Sequence, residues 1–156
     1  MAQAGMRRSN MNIIPMQEEH VSSIAELEIR CFSAPWVDAS IRSELENPLS
    51  HWLVAVEDQK VVGYIGSQTV LGEADIMNVA VAPEFRRKGI AKALLLTLQD
   101  DLCAKDVHSL TLEVRASNVP AITLYEALGY TQVGRRPNYY HKPKEDALIL
   151  RKEWSV

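Results

Sequence analysis

Apolar positions recur along the chain with two periods, and the switch between them marks out the elements. Val21, Ile24, Leu27 and Cys31 fall at helical spacing and predict a helix over 20–32 with one buried face. Glu28 lies on the same seam, an odd place for a carboxylate. Leu94, Leu95, Leu98 and Leu102 predict a second amphipathic helix over 89–104. Residues 52–57 and 61–70 are apolar, β-branched runs separated by Asp58-Gln59-Lys60, the pattern of an antiparallel hairpin, and 74–81 follows as a strand after the Gly72 turn. A short strand is expected at 12–16. A short helix should start at Asp38, acting as N-cap, and stop near 46, before Asn47-Pro48.

The segment 109–114 alternates strictly. Leu110, Leu112 and Val114 share one face, while Thr111, Glu113 and Arg115 share the other, so Glu113 points away from the apolar side toward a groove or solvent. A helix on either side of this strand predicts that it runs parallel to 74–81. Asn118 can cap a helix through Leu128 that Gly129 ends in the left-handed conformation, and strands at about 131–136 and 146–152 close the chain. The order β-α-α-β-β-β-α-β-α-β-β describes one α/β domain, with a mixed central sheet of six to seven strands and about four helices over both faces.

Composition narrows the classes. The 156 residues, 47% of them hydrophobic, suffice for one well-buried core. A net charge of −3 argues against a general nucleic-acid binder. No apolar run approaches the length of a membrane span, and residues 1–10 lack the apolar centre of a secretory signal, so a cytoplasmic protein without a membrane partner is expected. Those ten residues read as a disordered leader to a domain over 11–156, with Met11 as a candidate functional start. Cys31 and Cys103 stand far apart without metal-ligand spacing; no disulfide and no metal are expected, and both read as ordinary buried thiols.

The densest chemistry lies where a strand gives way to a helix, at Arg86-Arg87-Lys88-Gly89-Ile90-Ala91. The first turn of a helix carries backbone N–H groups without intrahelical partners, together with the positive end of the macrodipole. Three cations and a glycine beside it make an anion cradle suited to a pyrophosphate. A nucleotide P-loop would need Gly-Lys followed by Ser or Thr, whereas the order here is Lys88-Gly89-Ile90.

The spacing Arg86-x-x-Gly89-x-Ala91 resembles the acyl-CoA-binding motif of the GNAT acetyltransferases. The segments Leu112-Glu113-Val114-Arg115-Ala116-Ser117-Asn118, 121–130, and Asn138-Tyr139-Tyr140 before Glu145-Asp146-Ala147 resemble the RimI branch of that family, the ribosomal-protein-alanine N-acetyltransferases, over most of 12–152. The resemblance implies the GNAT fold and acetyl-CoA as cosubstrate. It implies that Val79, Ala80 and Val81 pair their backbone with the pantetheine arm and that Arg86, Arg87, Lys88, Gly89, Ile90, Ala91 and Lys92 surround the pyrophosphate, with Asn118 also at the cofactor. It further implies Glu113 as proton acceptor, Tyr125 as proton donor, and the N-terminal alanine of a small-subunit ribosomal protein as acceptor. Trp36 beside Pro35, and Tyr139 with Tyr140, are candidate walls for the acceptor peptide, and Glu28 a candidate receiver of its amine or of a basic side chain. Each has a plainer alternative: a solvated strand carboxylate for Glu113, a core aromatic for Tyr125, a helix cap for Asn118, loop packing for Trp36.

Chemistry favours an N-terminal amine. Its pKa near 7.7–8.0 leaves about a tenth neutral at pH 7, whereas a lysine near 10.4 costs roughly 3.4 kcal/mol more to deprotonate. A carboxylate acting directly or through one water can prepare the former. Direct transfer in a ternary complex needs no protein nucleophile. Lysine or small-amine acetylation remains the alternative within the enzymes, and a non-catalytic CoA-binding adaptor the alternative outside them.

Overall fold

Two left-handed dipeptides fold the first half of the chain into a meander. Asp58-Gln59 (φ 50° and 68°) and Leu71-Gly72 (φ 52° and 81°) take the backbone that closes a two-residue hairpin with the natural strand twist. They join β2 (Ser50–Glu57), β3 (Lys60–Val70) and β4 (Glu73–Val81), and β1 (Met11–Pro15) adds antiparallel to the outer edge of β2. The structure, a computed structural model, describes residues 11–155; the leader expected over 1–10 lies outside the described residues.

After β4 the chain passes through α3 (Ile90–Cys103) and returns as β5 (Ser109–Arg115), parallel to β4 as expected. β7 (Glu145–Glu153) pairs antiparallel with β5 along its whole length, and β6 (Thr131–Tyr140) forms the far edge. The sheet is mixed and seven-stranded, in the order β1-β2-β3-β4-β5-β7-β6. The helices α1 (Val21–Cys31) and α2 (Asp38–Glu44) precede β2, and α4 (Val119–Ala127) connects β5 to β6.

Strand alternation divides the core in two. Leu53 and Ala55 face the side covered by Leu94, Leu95 and Leu98 of α3, whereas Trp52 and Val54 face Val21, Ile24 and Leu27 of α1 and Ile41 of α2. On the second side the Trp52 indole lies parallel to the Tyr64 ring at 5.8 Å and takes the edge of Trp36 at 5.4 Å. Its Nε1 donates to Glu44 Oε1 at 3.1 Å, an oxygen that also accepts from Ser50 and Gln68. The buried Glu44 carboxylate therefore keeps its hydrogen bonds and fixes α2 on β2.

Three expectations need correction. Asp38 is the first helical residue, not the cap; Val37 precedes it without a side-chain cap bond, and the Asp38 carboxylate pairs instead with Arg42 one turn on. β6 continues past 136 to Tyr140, because Tyr140 pairs with Glu145 across an irregular stretch, so the tyrosine pair sits on a strand end and not in a free loop. Cys103 closes α3 on its solvent side and is exposed, while Cys31 is half-buried; neither is a fully buried thiol. Among the described residues no helix is long and apolar enough to cross a membrane.

Gly66 is a packing glycine. A Cβ built there would stand 2.3 Å from the Trp52 indole, closer than real contacts allow, and the indole cannot retreat from Tyr64 and Trp36 without opening the core. Gly66→Ala should destabilise the fold by about 1–3 kcal/mol, the usual cost of overpacking. Urea unfolding followed by tryptophan fluorescence measures this, and an unchanged midpoint would show that the indole moves freely.

Candidate active site

β4 and β5 pair through three residues only, Glu73 with Ser109, Ala74 with Leu110 and Asp75 with Thr111, and then diverge. The register of β3 against β4 shifts at Gly66/Ser67, leaving Met77 as an extra residue that bends β4 away. β5 meanwhile follows β7 to its end at Arg115 and Ala147. Among the described residues the β5-facing edge of β4 beyond Asp75 therefore has no strand partner, and the sheet forks.

The register also says which backbone groups line that fork. Ala82 N–H donates to the Val62 carbonyl at 2.8 Å, so the alternation of an antiparallel ladder turns Ala80 toward β3 and turns Val79 and Val81 toward the fork. Of the three residues expected to offer their backbone to a ligand, Val79 and Val81 turn their backbone away from β3 and Ala80 does not. The Val81 carbonyl is met by Arg86 Nε at 3.1 Å, and Arg86 Nη2 lies 3.5 Å from Cys31 Sγ. This draws Arg86 toward the strand end and leaves Arg87 and Lys88 as the cations of the turn.

Beyond β4 a single helical turn at 83–85 leads into the basic loop. Arg87 and Gly89 have φ of 64° and 78°, and the first intrahelical bond of α3 runs from Ala93 N–H to the Gly89 carbonyl at 3.0 Å. The N–H groups of Ile90, Ala91 and Lys92 have no intrahelical acceptor. The Ile90 side chain is buried, so it contributes backbone alone. A Cβ on Gly89 would meet nothing within 4 Å; its left-handed backbone, not crowding, is what calls for glycine. Lys88 Nζ rests 5.0 Å above the Phe85 ring. Asn118 caps α4, its Oδ1 accepting from Ala121 N–H at 3.3 Å.

Across the fork, Glu113 stands on the polar face of β5 as its alternation requires, half-buried, with Oε2 accepting from Arg136 Nε at 3.1 Å. Tyr125, 7% exposed, sets its ring edge-on to Tyr130 at 5.7 Å. Burial pushes its hydroxyl up to about 12, and Tyr140 adds to the shift. Tyr140 is itself raised to about 12 by burial, then by Tyr139, with a smaller push from Glu113. Contacts join the hairpin to the strand face: Arg136, bonded to Glu113, lies 5.6 Å from the centre of the Tyr139 ring, which meets Tyr140 edge-on at 5.1 Å.

Trp36 and Glu28 belong to the α1 side. Glu28, only 1% exposed, accepts from Trp36 N–H at 2.8 Å and from Asn78 Nδ2 at 2.7 Å, tying the loop after α1 to the bulged stretch of β4. Ser33 of the same loop donates to the His141 carbonyl at 3.4 Å, so loop and final hairpin meet. Sequence reasoning passed over Asn78, Arg136, Ser33 and the partners of Arg115. Asn78 carried a signal, being a polar residue inside an apolar strand. The others did not. Among the described residues no cluster of His, Cys, Asp or Glu is placed to hold a metal.

Residues 21–130 match the Acetyltransferase (GNAT) family. The chain belongs to this family. It is 39% identical over 136 residues to a putative ribosomal protein bS18-alanine N-acetyltransferase of Bacillus subtilis, covering 86% of this chain and 90% of that one. The crystal structure of the ribosomal-protein-S18-alanine N-acetyltransferase from Escherichia coli superposes with a TM-score of 0.87 at 33% identity, covering 94% and 95% of the two chains. The fold is also that of Arabidopsis thaliana NAA60 in complex with acetyl-CoA, with a TM-score of 0.85 at 17% identity and 92% and 98% coverage. The family and its named relatives make this GNAT protein an acyltransferase, on the mixed seven-stranded fold described above.

Burial holds Glu28 above the ordinary carboxylate range, against the opposing pull of the Trp36 N–H and Asn78 bonds. A raised folded-state pKa means that the native chain holds the proton more tightly than the unfolded chain. That contribution is complete below the unfolded value and is lost as pH rises through the folded one. Glu28→Gln removes the titration. Its unfolding free energy relative to wild type should therefore rise as pH climbs from the ordinary carboxylate range toward neutrality. Parallel stability curves over that range would show that Glu28 titrates normally.

Proposed function

We propose that this acetyltransferase moves the acetyl group of acetyl-CoA directly to the α-amine of an N-terminal alanine, that of ribosomal protein bS18, within a ternary complex. The observation that carries the reading is the forked sheet: an unpartnered backbone edge runs out to a basic, unsatisfied helix end, and Glu113 stands on the strand across from it beside the hairpin that bears Tyr139 and Tyr140. The names of the relatives supply the acceptor.

The division of labour follows from the chain's own groups. Backbone at Val79 and Val81 hydrogen-bonds the pantetheine arm as an added strand would. N–H groups of the first turn of α3, with Arg87 and Lys88, hold the pyrophosphate, and Asn118 adds a contact from the cap of α4. Trp36, Tyr139 and Tyr140 wall the acceptor segment. Glu28, buried and bonded to Trp36 and Asn78, backs the Trp36 loop from inside and so serves the acceptor site indirectly, not as the receiver of its amine. Glu113 takes a proton from the α-ammonium, directly or through one water, and the amine attacks the thioester carbon. The C–S bond then breaks as the amide forms: the sulfur leaves as a thiolate hydrogen-bonded by the Tyr125 hydroxyl, and the second proton of the nitrogen passes to solvent.

A Tyr125 hydroxyl near 12 stays protonated across the physiological range. Full transfer to a thiolate of pKa near 8.5 is uphill by roughly 5 kcal/mol, so Tyr125 serves mainly as a hydrogen-bond donor to the departing sulfur.

Incubation with acetyl-CoA and peptides should give acetylation of free N-terminal alanine over N-terminally blocked, lysine-containing peptides; preference for the blocked set would overturn the acceptor class. Glu113→Gln and Tyr125→Phe should each lower turnover by about a hundredfold or more with CoA affinity unchanged. Normal turnover in both would remove them from these roles.

Gly89→Ala tests the cradle separately. A left-handed alanine costs about 1–2 kcal/mol, and relaxation of that strain turns the N–H groups away. Calorimetry should show CoA binding weakened by about tenfold with the unfolding midpoint nearly preserved. Unaltered affinity would place the pyrophosphate elsewhere.

A further inference from the structure

Two residues beyond Glu113, on the same face of β5, Arg115 gathers the whole turn between β6 and β7. Its Nη1 donates to the Pro143 carbonyl at 2.9 Å and to Glu145 Oε1 at 3.2 Å, and its Nη2 donates to the His141 carbonyl at 3.2 Å. The guanidinium also lies 4.4 Å from the centre of the Tyr140 ring. Glu145 completes the arrangement by accepting the Ser117 N–H at 2.6 Å, just past the end of β5. The His141 carbonyl receives the Ser33 hydroxyl as well, so the loop after α1 closes on the same point.

This is more than a surface ion pair. The side chains of Arg115 and Glu145 are 26% and 18% exposed, and a planar fork that meets two carbonyls and a carboxylate while stacking on an aromatic ring uses the geometry of guanidinium as well as its charge. The carbonyls at 141 and 143 belong to a turn with little apolar anchorage, since β6 is exposed through most of its length. Without Arg115 they would turn to water, and Tyr140 would lose the surface it rests on.

We infer that Arg115 is a positioning residue for the acceptor substrate: it locks the β6–β7 turn, and through it Tyr139, Tyr140 and the Ser33 contact, at a set distance from Glu113. The inference rests on the reading of these tyrosines as walls of the acceptor site. Arg115 touches neither the helix end of the cradle nor the β4 edge, so its loss should weaken use of the acceptor and spare acetyl-CoA.

The test compares Arg115→Ala and Arg115→Lys with the wild-type chain, reading hydrogen exchange of the backbone amides over 139–146 together with KM for each substrate. Both variants should exchange faster in that turn. They should also lose about tenfold to a hundredfold in kcat/KM for an N-terminal-alanine peptide, the scale expected of a displacement near 1 Å, while KM for acetyl-CoA holds. Lysine, lacking the planar fork, should not rescue. Unchanged exchange in Arg115→Ala, wild-type behaviour of Arg115→Lys, or parallel increases in both KM values would overturn the inference. If Arg115→Ala does not fold, Arg115→Lys carries the same readouts. A wild-type chain that ignores N-terminal peptides would refute the acceptor reading instead, while the exchange measurement still decides whether Arg115 holds the turn.

Discussion

The molecule depends on a ladder that stops. Parallel strands β4 and β5 share three residue pairs and part, although both continue for several residues more. Backbone N–H and C=O groups left along β4 cannot remain dry and unpaired, so the fork must be filled by water or by a ligand that offers a matching strand-like edge. Two local causes produce it. The Met77 bulge bends β4 one way, and the uninterrupted pairing of β5 with β7 holds β5 the other. A ligand in this opening is gripped by main chain, whose geometry is set by both neighbouring strands and not by side-chain rotamers.

Around the fork the two cores take different work. The α3 side is leucine-rich and holds the helix whose N-terminus forms the cradle, so the anion site is as fixed as Leu94 and Leu98 are buried. The α1 side stacks Trp36, Trp52 and Tyr64, with Gly66 leaving room for the indole. It adds two buried carboxylates, Glu28 and Glu44, each satisfied by donors from other elements. Buried carboxylates with several fixed donors specify relative position more than they add stability. Glu44 fastens α2 to β2 and β3, and Glu28 fastens the Trp36 loop to β4. The loop proposed to face the acceptor is thereby referenced to the strand proposed to face the cofactor.

Periodicity and turn chemistry were enough to read the element order, the parallel return of β5 and the outward face of Glu113 from the residues alone, since each depends on spacing within one segment. The basic turn before α3 was readable for the same reason. Arg86 and Arg87 were indistinguishable as letters; the positive φ at Arg87 and the bond from Arg86 to the Val81 carbonyl separate their roles, and both are consequences of the fold. The partners of Arg115 lie 26 to 30 residues onward, across a register irregularity in β6 that no local pattern announces. Glu28 marked itself by standing on an apolar seam, but its donors, a backbone N–H and an asparagine on another strand, come from tertiary packing.

The burial of Tyr125 bears on how the family chemistry is divided in this chain. In water a phenol is already a poor acid for a thiolate, and with its hydroxyl raised to about 12 the mismatch grows. What burial adds is a fixed dipole in a dry place, where a hydrogen bond to a sulfur gaining charge is stronger than in water and requires no reorganisation. Glu113 keeps the opposite environment, half-buried on a polar strand face with the Arg136 guanidinium beside it. The two sides of the fork thus differ in burial as well as in residue type, in the sense that the proposed roles require: a wetter side for removal of the ammonium proton and a drier one for stabilisation of the leaving group. Under the proposed mechanism, exchanging the residues without exchanging their surroundings would reproduce neither role, because each role draws on the sheet edge or helix core in which its residue is set.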